Sequence, residues 1–556
     1  MSGISHAATG SFSTFTYNVA GLPQGVSSAP SDRLSSTKLI SCYVKQFDFV
    51  NVQEDFNYHA ALYDTCDDHP YRSPTSGGMG IGSGLNSMSR FPYMDWERVR
   101  WSACNGVDCL TPKGFTMART RLAEGVYVDI YNLHAQAQTE TADLTARRKN
   151  MLQLLDYIEA NSAGNAVIVA GDTNTRYTRA DDNIREFSTR GFTDVWLEQV
   201  RGTPPAAGAD ALVCDPAVTS AACEIVDKVL YRDNGFVGLK ALSYYIPTDM
   251  QNANGEELSD HRGIKTIWSY ATVANRALSD TWGGPHGTAF NDVAMLPANP
   301  AVGTVTLRSG SRVDRVEVAL SNGYVLSHGG NGGSASSLTL GASEYLASVS
   351  LCSGTYNSTT RIFYAKFTTS TGRTLAGGKT TSICSTYTAP SGWQIVGFHG
   401  RSGDEVDRLG VVYAPQVSKP AAASYVQFVN RNSGQCLDIS GATMADGTNV
   451  AQWTCNGGDW QKWSYDTTTG LIRSKQDSRF CLDNSNAFGD GGNVAIARCS
   501  GSARQRFNLD AASGAITLRS LPAQALDVNG GSTAAGANVQ TWTWSGAAWQ
   551  RWNLVP

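Results

Sequence analysis

Eight polar residues in the first half of the chain stand at or beside the ends of apolar runs. They are Asn18 in TYNVAG, Glu54 in VQEDF, His134 in YNLHAQAQ, Asp172 and Asn174 in AGDTN, Asp227 in EIVDKVL, and Asp260 with His261 in LSDHRG. A hard cation such as Mg²⁺ takes oxygen ligands, commonly one or two carboxylates completed by substrate phosphate. Glu54 offers such a ligand, with Asn18 assisting. Two histidines among Asp and Asn side chains suit the activation of water and the protonation of a leaving oxygen. Alone, His134 would read as a core histidine satisfied by a neighbour; its company makes it a site.

Such a set works only if strands deliver it to one edge. FDFVNVQE (47–54), VYVDIYNLH (126–134), AVIVAGDTN (166–174) and EIVDKVLYRD (224–233) read as strands. DLTARRKNMLQLLDYIEAN (143–161) has helical spacing, with Asp143 or Thr145 available as its cap. Alternating strands and helices predict a layered α/β sheet over residues 10–272. After about Tyr270 the helical periodicity disappears. Strands split by glycine clusters such as HGGNGG (328–333) predict an all-β domain over 275–415, and the Pro/Ala-rich residues 416–424 read as a linker. The last segment, 425–556, repeats itself: CLDIS at 436, CLDNS at 481 and ALDVN at 525, with QKW at 461, QRF at 505 and QRW at 550.

At 556 residues the chain exceeds a single core. No apolar run approaches the ~18 residues that span a bilayer, and a net charge of -4 offers no global basic field for nucleic acid. The 12 cysteines fall into close pairs (42/66, 104/109, 214/223, 352/384, 436/455, 481/499), which predicts disulfides and an oxidising compartment. The third repeat supports this pairing, because Ala525 and Trp544 replace both partners together. The start, MSGISHAATG, lacks the basic and apolar regions of a signal peptide, so a secreted form is expected to have lost its leader.

The ordered set N…QE…NLH…GDTN…SDH resembles the DNase I-like endonuclease/exonuclease/phosphatase superfamily over about residues 10–270. The resemblance implies a four-layer α/β sandwich and phosphoester hydrolysis with one or two Mg²⁺ ions. Asn18, Glu54 and Asp260 would then serve the metal, and His134 would act on a phosphoryl oxygen. Asp172 and Asn174 would orient water and phosphate, and Asp227 would lie near His261, the general base. HAQAQ and the loop CNGVDCLTPKGFTMARTRL (104–122) resemble bacterial sphingomyelinases, which makes Lys113 a candidate cation for the substrate. One stretch departs from that group. Where an aromatic-tipped hairpin is usual, residues 238–261 offer only Tyr244, Tyr245 and Ile246 before turning polar.

Residues 275–415 resemble a jacalin-like lectin, a β-prism, which implies sugar contacts at Gly283, Gly284, Gly400 and Asp404. Residues 425–556 resemble a ricin B-type β-trefoil. There Asp438 with Trp453, and Asp527 with Trp542, keep the aspartate and stacking aromatic of a sugar site. The second repeat has Ala497 as the counterpart of Trp453 and is expected to have lost its site. The family's asparagine before Gln-x-Trp is replaced by Trp460, Arg504 and Trp549. The combined expectation is a secreted, monomeric, Mg²⁺-dependent phosphodiesterase of the sphingomyelinase C or phospholipase C type. It would act on a phospholipid or sphingolipid while two lectin domains hold cell-surface glycans, with peripheral contact to the membrane. A secreted nuclease with lectin targeting, and a multivalent lectin with an inactive first domain, are the alternatives.

Overall fold

The computed structural model describes residues 7–76, 82–214, 221–485 and 488–556. Residues 1–6 lie outside it.

The first domain contains β1 (Thr9–Asn18), β2 (Phe49–Gln53), β3 (Tyr71–Arg72), β4 (Asn86–Ser89), β5 (Tyr93–Arg100) and β6 (Gly114–Ala123). It continues with β7 (Val126–His134), β8 (Ala166–Asp172), β9 (Thr193–Asp194), β10 (Asp227–Arg232), β11 (Val237–Ala241) and β12 (Ile264–Thr272). Two six-stranded sheets form, in the orders β11-β12-β1-β2-β4-β3 and β5-β6-β7-β8-β10-β9. Strand alternation assigns each side chain to a layer. In β7, Val128 and Ile130 enter the core between the sheets with Ile168, Val229 and Trp268. Tyr131 and Leu133 face the other way.

Each sheet carries a helix on its outer face, α1 (Arg33–Val44) on the first and α2 (Thr141–Asn161) on the second. Met151, Leu154, Leu155 and Ile158 recur at helical spacing on α2 and bury against Tyr131 and Leu133. Helix α2 starts two residues earlier than its apolar pattern suggests. Its cap is Glu140, and Asp143 closes a capping box three residues on, so neither Asp143 nor Thr145 is the cap.

Amides bridge the two sheets near the site. Asn51 Nδ2 donates to the carbonyls of Tyr131 and Ala170, and Asn132 Nδ2 to those of Val52 and Asn86. Gln53 Nε2 reaches Asn132 Oδ1 at 2.7 Å. All three side chains are buried, and together they fix the strand ends of one sheet against the other.

The second domain is a β-prism built from a four-stranded sheet and a curled nine-stranded sheet. The third is a β-trefoil of twelve described strands, whose core repeats in threes: Leu437, Leu482 and Leu526; Val450, Val494 and Val539; Trp463, Phe507 and Trp552. All six predicted disulfides are formed.

Charged side chains lock the domains together. Asp95 on β5 receives Arg119 of its own domain together with Arg401 and Arg408 of the prism, at 3.3, 3.1 and 2.6 Å. Arg121 holds Asp280. The trefoil meets α2 through its second repeat: Arg504 binds Asp156 at 2.7 Å, and the Ala503 N–H donates to Glu159.

Candidate active site

The strand ends converge as their sequence positions imply. Asn18 ends β1, Glu54 follows β2, His134 ends β7, Asp172 ends β8, and Asp227 opens β10 directly opposite Asp172. Asn18 Nδ2 donates to Glu54 Oε1 at 3.1 Å and to Asp172 Oδ2 at 3.2 Å, while its own Oδ1 accepts from the Ala20 N–H. Asn18 thus presents an N–H to both carboxylates and orients them.

Two of these residues sit in the left-handed backbone region, Glu54 at φ 56° and Asn174 at φ 53°. Such conformations persist where surrounding structure enforces them. Around Glu54 that structure is glycine: a Cβ on Gly21 would meet the Glu54 carbonyl oxygen at 2.3 Å, and Gly84 approaches the Glu54 Cα. At Asn174 the main-chain N–H donates to Asp172 Oδ1 and the side chain to the Ala135 carbonyl.

The two histidines have opposite electrostatics. His134 is wholly buried, and burial, followed by Lys113 and His261, pushes its pKa well below the ordinary imidazole value. Its Nε2 faces Asp172 Oδ2 at 3.4 Å and Glu54 Oε1 at 3.9 Å, and its Nδ1 has no partner. A neutral ring with its proton on Nε2 fits these contacts. For His261, burial opposes charge, but the Asp227 and Asp172 carboxylates outweigh it and hold the pKa well above the ordinary value. Its Nδ1 is 3.0 Å from Asp227 Oδ2 and its Nε2 is 3.8 Å from Asp172 Oδ2. Burial raises the Asp172 pKa, with Asp227 adding to the effect and His261 opposing it.

Asp172, Asp227 and His261 bring ligand atoms within 4.8 Å of one another. Asp227 Oδ1 is buried without a hydrogen-bond partner. That free oxygen, the Asp172 carboxylate and the partly exposed Glu54 suit a divalent cation. Asp260 stands apart from this cluster. It is exposed, and its carboxylate accepts from the Ser28 and Ser259 hydroxyls.

Lys113 binds Asp108 at 2.8 Å, and Asp108 also accepts from the Ala137 N–H, so the cysteine-bearing loop is tied to the chain just past His134. Gln136, in HAQAQ, is buried and joins Asn105 to Asp143 of α2. No aromatic hairpin projects from residues 238–261. Ile246 is buried, Tyr244 packs against the core, and only Tyr245 of the three is exposed.

In the prism, Gly283 and Gly284 lie where only a glycine fits. A Cβ on Gly283 would meet the Asp407 carbonyl oxygen at 2.2 Å, and the Gly284 N–H donates to that oxygen at 2.8 Å. The carboxylate beside this loop belongs to Asp407, 2.5 Å from a Cβ placed on Gly287. Gly400 lies within a strand paired with Leu409, and Asp404 is exposed, its backbone lying under Gly330. The same bond recurs where Gly330 N–H meets the Asp314 carbonyl and Lys379 N–H that of Phe363, at 2.9 and 2.8 Å. The G-x-x-x-D spacing of Gly403–Asp407 and Gly310–Asp314 was the available signal for Asp407 and Asp314.

In the trefoil, Asp438 accepts from Gln461 Nε2 at 2.8 Å and Asp527 from Gln540 Nε2 at 3.0 Å. Trp460 and Trp549 lie close enough to these carboxylates to oppose the rise that burial gives their pKa values. Cross-strand pairing sets Trp453 opposite Cys436, Trp542 opposite Ala525 and Ala497 opposite Cys481. Trp453 and Trp542 are 48% and 43% exposed, large values for indoles in folded structure. The Trp453 side opens onto a cleft of about 540 Å³ that includes Asp438 and Trp460.

The fold and site define three domains: an endonuclease/exonuclease/phosphatase-type domain, a jacalin-like lectin domain and a ricin-type β-trefoil lectin domain. Residues 30–199 match the endonuclease/exonuclease/phosphatase family 2 profile, 279–412 the jacalin-like lectin domain and 424–552 the ricin-type beta-trefoil lectin domain. A sphingomyelinase of Mycobacterium bovis is 38% identical over 263 residues, 46% of this chain and 51% of the relative. The chain thus spans about half the length of the curated relatives it matches. Sphingomyelinase C from Streptomyces griseocarneus is 18% identical over 46% of this chain and 99% of its own, with a TM-score of 0.32. Wild-type Malaysian banana lectin is 25% identical over 25% of this chain and 98% of its own, with a TM-score of 0.23.

Proposed function

We propose that the chain is a secreted, divalent-metal-dependent phosphodiesterase that releases the phosphorylated head group of a sphingomyelin-type phospholipid, with both lectin domains engaging glycans on the same membrane. The observation that carries this reading is the convergence of Glu54, His134, Asp172, Asp227 and His261 at one end of the two-sheet sandwich. The 38% identity of this region to a sphingomyelinase supports the lipid substrate, and six disulfides support secretion.

In this reading Glu54 and the Asp172/Asp227 carboxylates would hold Mg²⁺, with Asn18 orienting Glu54. The ion supplies charge neutralisation at the phosphoryl oxygens. With a cation at the Asp172 and Asp227 carboxylates, the charges that hold the His261 pKa up would be neutralised, and His261, positioned by Asp227, would take the proton of the attacking water. His134 enters as a neutral donor whose Nε2–H meets a phosphoryl oxygen, and Asn174 positions the phosphate. Asp260 positions the loop before His261 through Ser28. Lys113 lies near enough to shift His134 electrostatically and supports an anionic substrate group at the mouth. Asp438 with Trp453, Asp527 with Trp542, and the Gly283–Gly284 loop with Asp407 form the glycan contacts.

Purified protein offered sphingomyelin, phosphatidylinositol-type lipid and plasmid DNA tests the reading, with EDTA and His261→Ala as controls. Mg²⁺-dependent release of phosphocholine supports it. Nicked plasmid without lipid cleavage replaces it with the nuclease. Glycan binding without turnover on any substrate leaves a multivalent lectin.

A further inference from the structure

A cleft of about 240 Å³ opens between the first domain and the trefoil. It lies at the Arg232 end of β10, the end opposite Asp227 and the catalytic edge. Arg190 and Arg232 line it from one side, and Arg506, Arg519 and Ser520 from the other. Arg190 and Arg504 share Asp156, and Arg232 binds Glu159. Arg506 and Arg519 reach only backbone carbonyls, and neither has a carboxylate partner among the described residues. Of the acids, Asp233 lines the cleft too, and its carboxylate accepts from the Leu239 N–H. Of the four guanidinium groups that line the cleft, Arg190 and Arg232 are paired with carboxylates, and Arg506 and Arg519 bring positive charge with no carboxylate bound to it among the described residues.

The unmet hydrogen-bonding capacity has the same sign. Arg190 is 3% exposed, yet its Nε has no partner among the described residues, and the Ser520 hydroxyl is buried without one among them. Both can donate. Native structures leave few such groups unsatisfied. Water would accept from them but would leave the charge in place. Burial, then Arg519 and Arg232, lowers the Arg506 pKa to about 10, with Glu159 opposing.

We propose that this cleft binds a small dianionic oxyanion of the phosphate or phosphomonoester class, bridging the first domain and the trefoil. Two unpaired guanidinium groups match two negative charges better than the single charge of a carboxylate, and their planar forks suit phosphate oxygens. The cleft has room for an organic group beyond the phosphate.

Calorimetric titration of the full chain at constant ionic strength tests this, with a chelator present so that the catalytic edge holds no divalent ion. Inorganic phosphate and glycerol phosphate are the two probes. One site is expected for at least one of them, weakened at least tenfold in both Arg506→Gln and Arg519→Gln and restored to within about threefold in Arg506→Lys. Tighter binding of glycerol phosphate assigns an organic phosphomonoester; equal binding assigns free phosphate. Absence of binding by both probes overturns the proposal, as does wild-type affinity in Arg519→Gln. If a Gln variant fails to fold, Ser520→Ala removes one donor alone; it should weaken binding, and unchanged affinity counts against the site.

Discussion

Nδ1 of His261 lies 3.0 Å from the carboxylate of Asp227, joining the loop after residue 258 to the first residue of β10. Partners that act as one unit lose activity together rather than additively. Asp227→Asn keeps the shape and removes the charge, and should lower turnover by about 10²- to 10⁴-fold. His261→Ala should cost at least as much, and the double variant little more than His261→Ala alone. Multiplicative losses in steady-state kinetics would show that the two side chains act separately.

Asp95 is the single acid that three guanidinium groups share across the junction of the first domain and the prism. Removing one member of a buried ionic set leaves uncompensated charge, a cost of about 3–5 kcal/mol. Asp95→Ala should therefore lower the thermal midpoint and separate unfolding of the prism from that of the first domain in calorimetry. Glu97→Ala, which removes a partly exposed carboxylate shared by Arg401 and the Tyr157 hydroxyl, should have a smaller effect.

His399 is buried at the same junction, where its ring nitrogen meets the Ser279 carbonyl and burial pushes its pKa down to about 4. The unfolded chain binds this proton more readily than the folded one. Stability is therefore fully present above about pH 6.5 and is lost as pH falls towards 4, by about 2.5 kcal/mol at pH 4.5. His399→Gln keeps a donor for Ser279 but cannot titrate. Denaturant unfolding at pH 7 and pH 4.5 should show a smaller difference for this variant than for the native chain.

Trp453 and Trp542 face solvent beside Asp438 and Asp527. Trp453→Ala and Trp542→Ala should each weaken binding to a multivalent glycan surface, with the double variant losing far more than either because avidity disappears. Unfolding midpoints should barely change, since both indoles are about half exposed. Surface plasmon resonance on immobilised glycans separates these outcomes, and Ala497→Trp should not create a third site while Glu159 stands beside Asp483.

The polar strand ends were legible because a chain that buries alternate residues must show where burial stops. Asn18, Glu54, His134, Asp172 and Asp227 mark those stops, and the sheet does the rest. Gln53 and Asn132 lay inside the same motifs, but their inter-sheet bonds join residues far apart in sequence, and no local pattern announces such pairs. Asp404 and Asp407 illustrate a different limit. Two overlapping G-x-x-x-D frames, starting at Gly400 and Gly403, are equivalent on paper, and only the folded chain shows that Asp407 is the one whose backbone packs against Gly283. Trp460 and Trp549 stand where an amide was expected; the amides that reach the two aspartates are Gln461 and Gln540. The Arg401–Asp95 contact, 306 positions apart, belongs wholly to tertiary structure.

The trefoil grips α2 with the lobe that carries Ala497 and Arg504, the one without an indole at the sugar position. A threefold module has interchangeable faces, and here one of them has become a joint. The other two are then free hands on a fixed wrist, with their bearing towards the catalytic mouth set by the choice of lobe. The same lobe also reaches the prism, where Arg473 donates to the Met295 carbonyl and Ser478 to that of Gly323, so the joint is held from two sides.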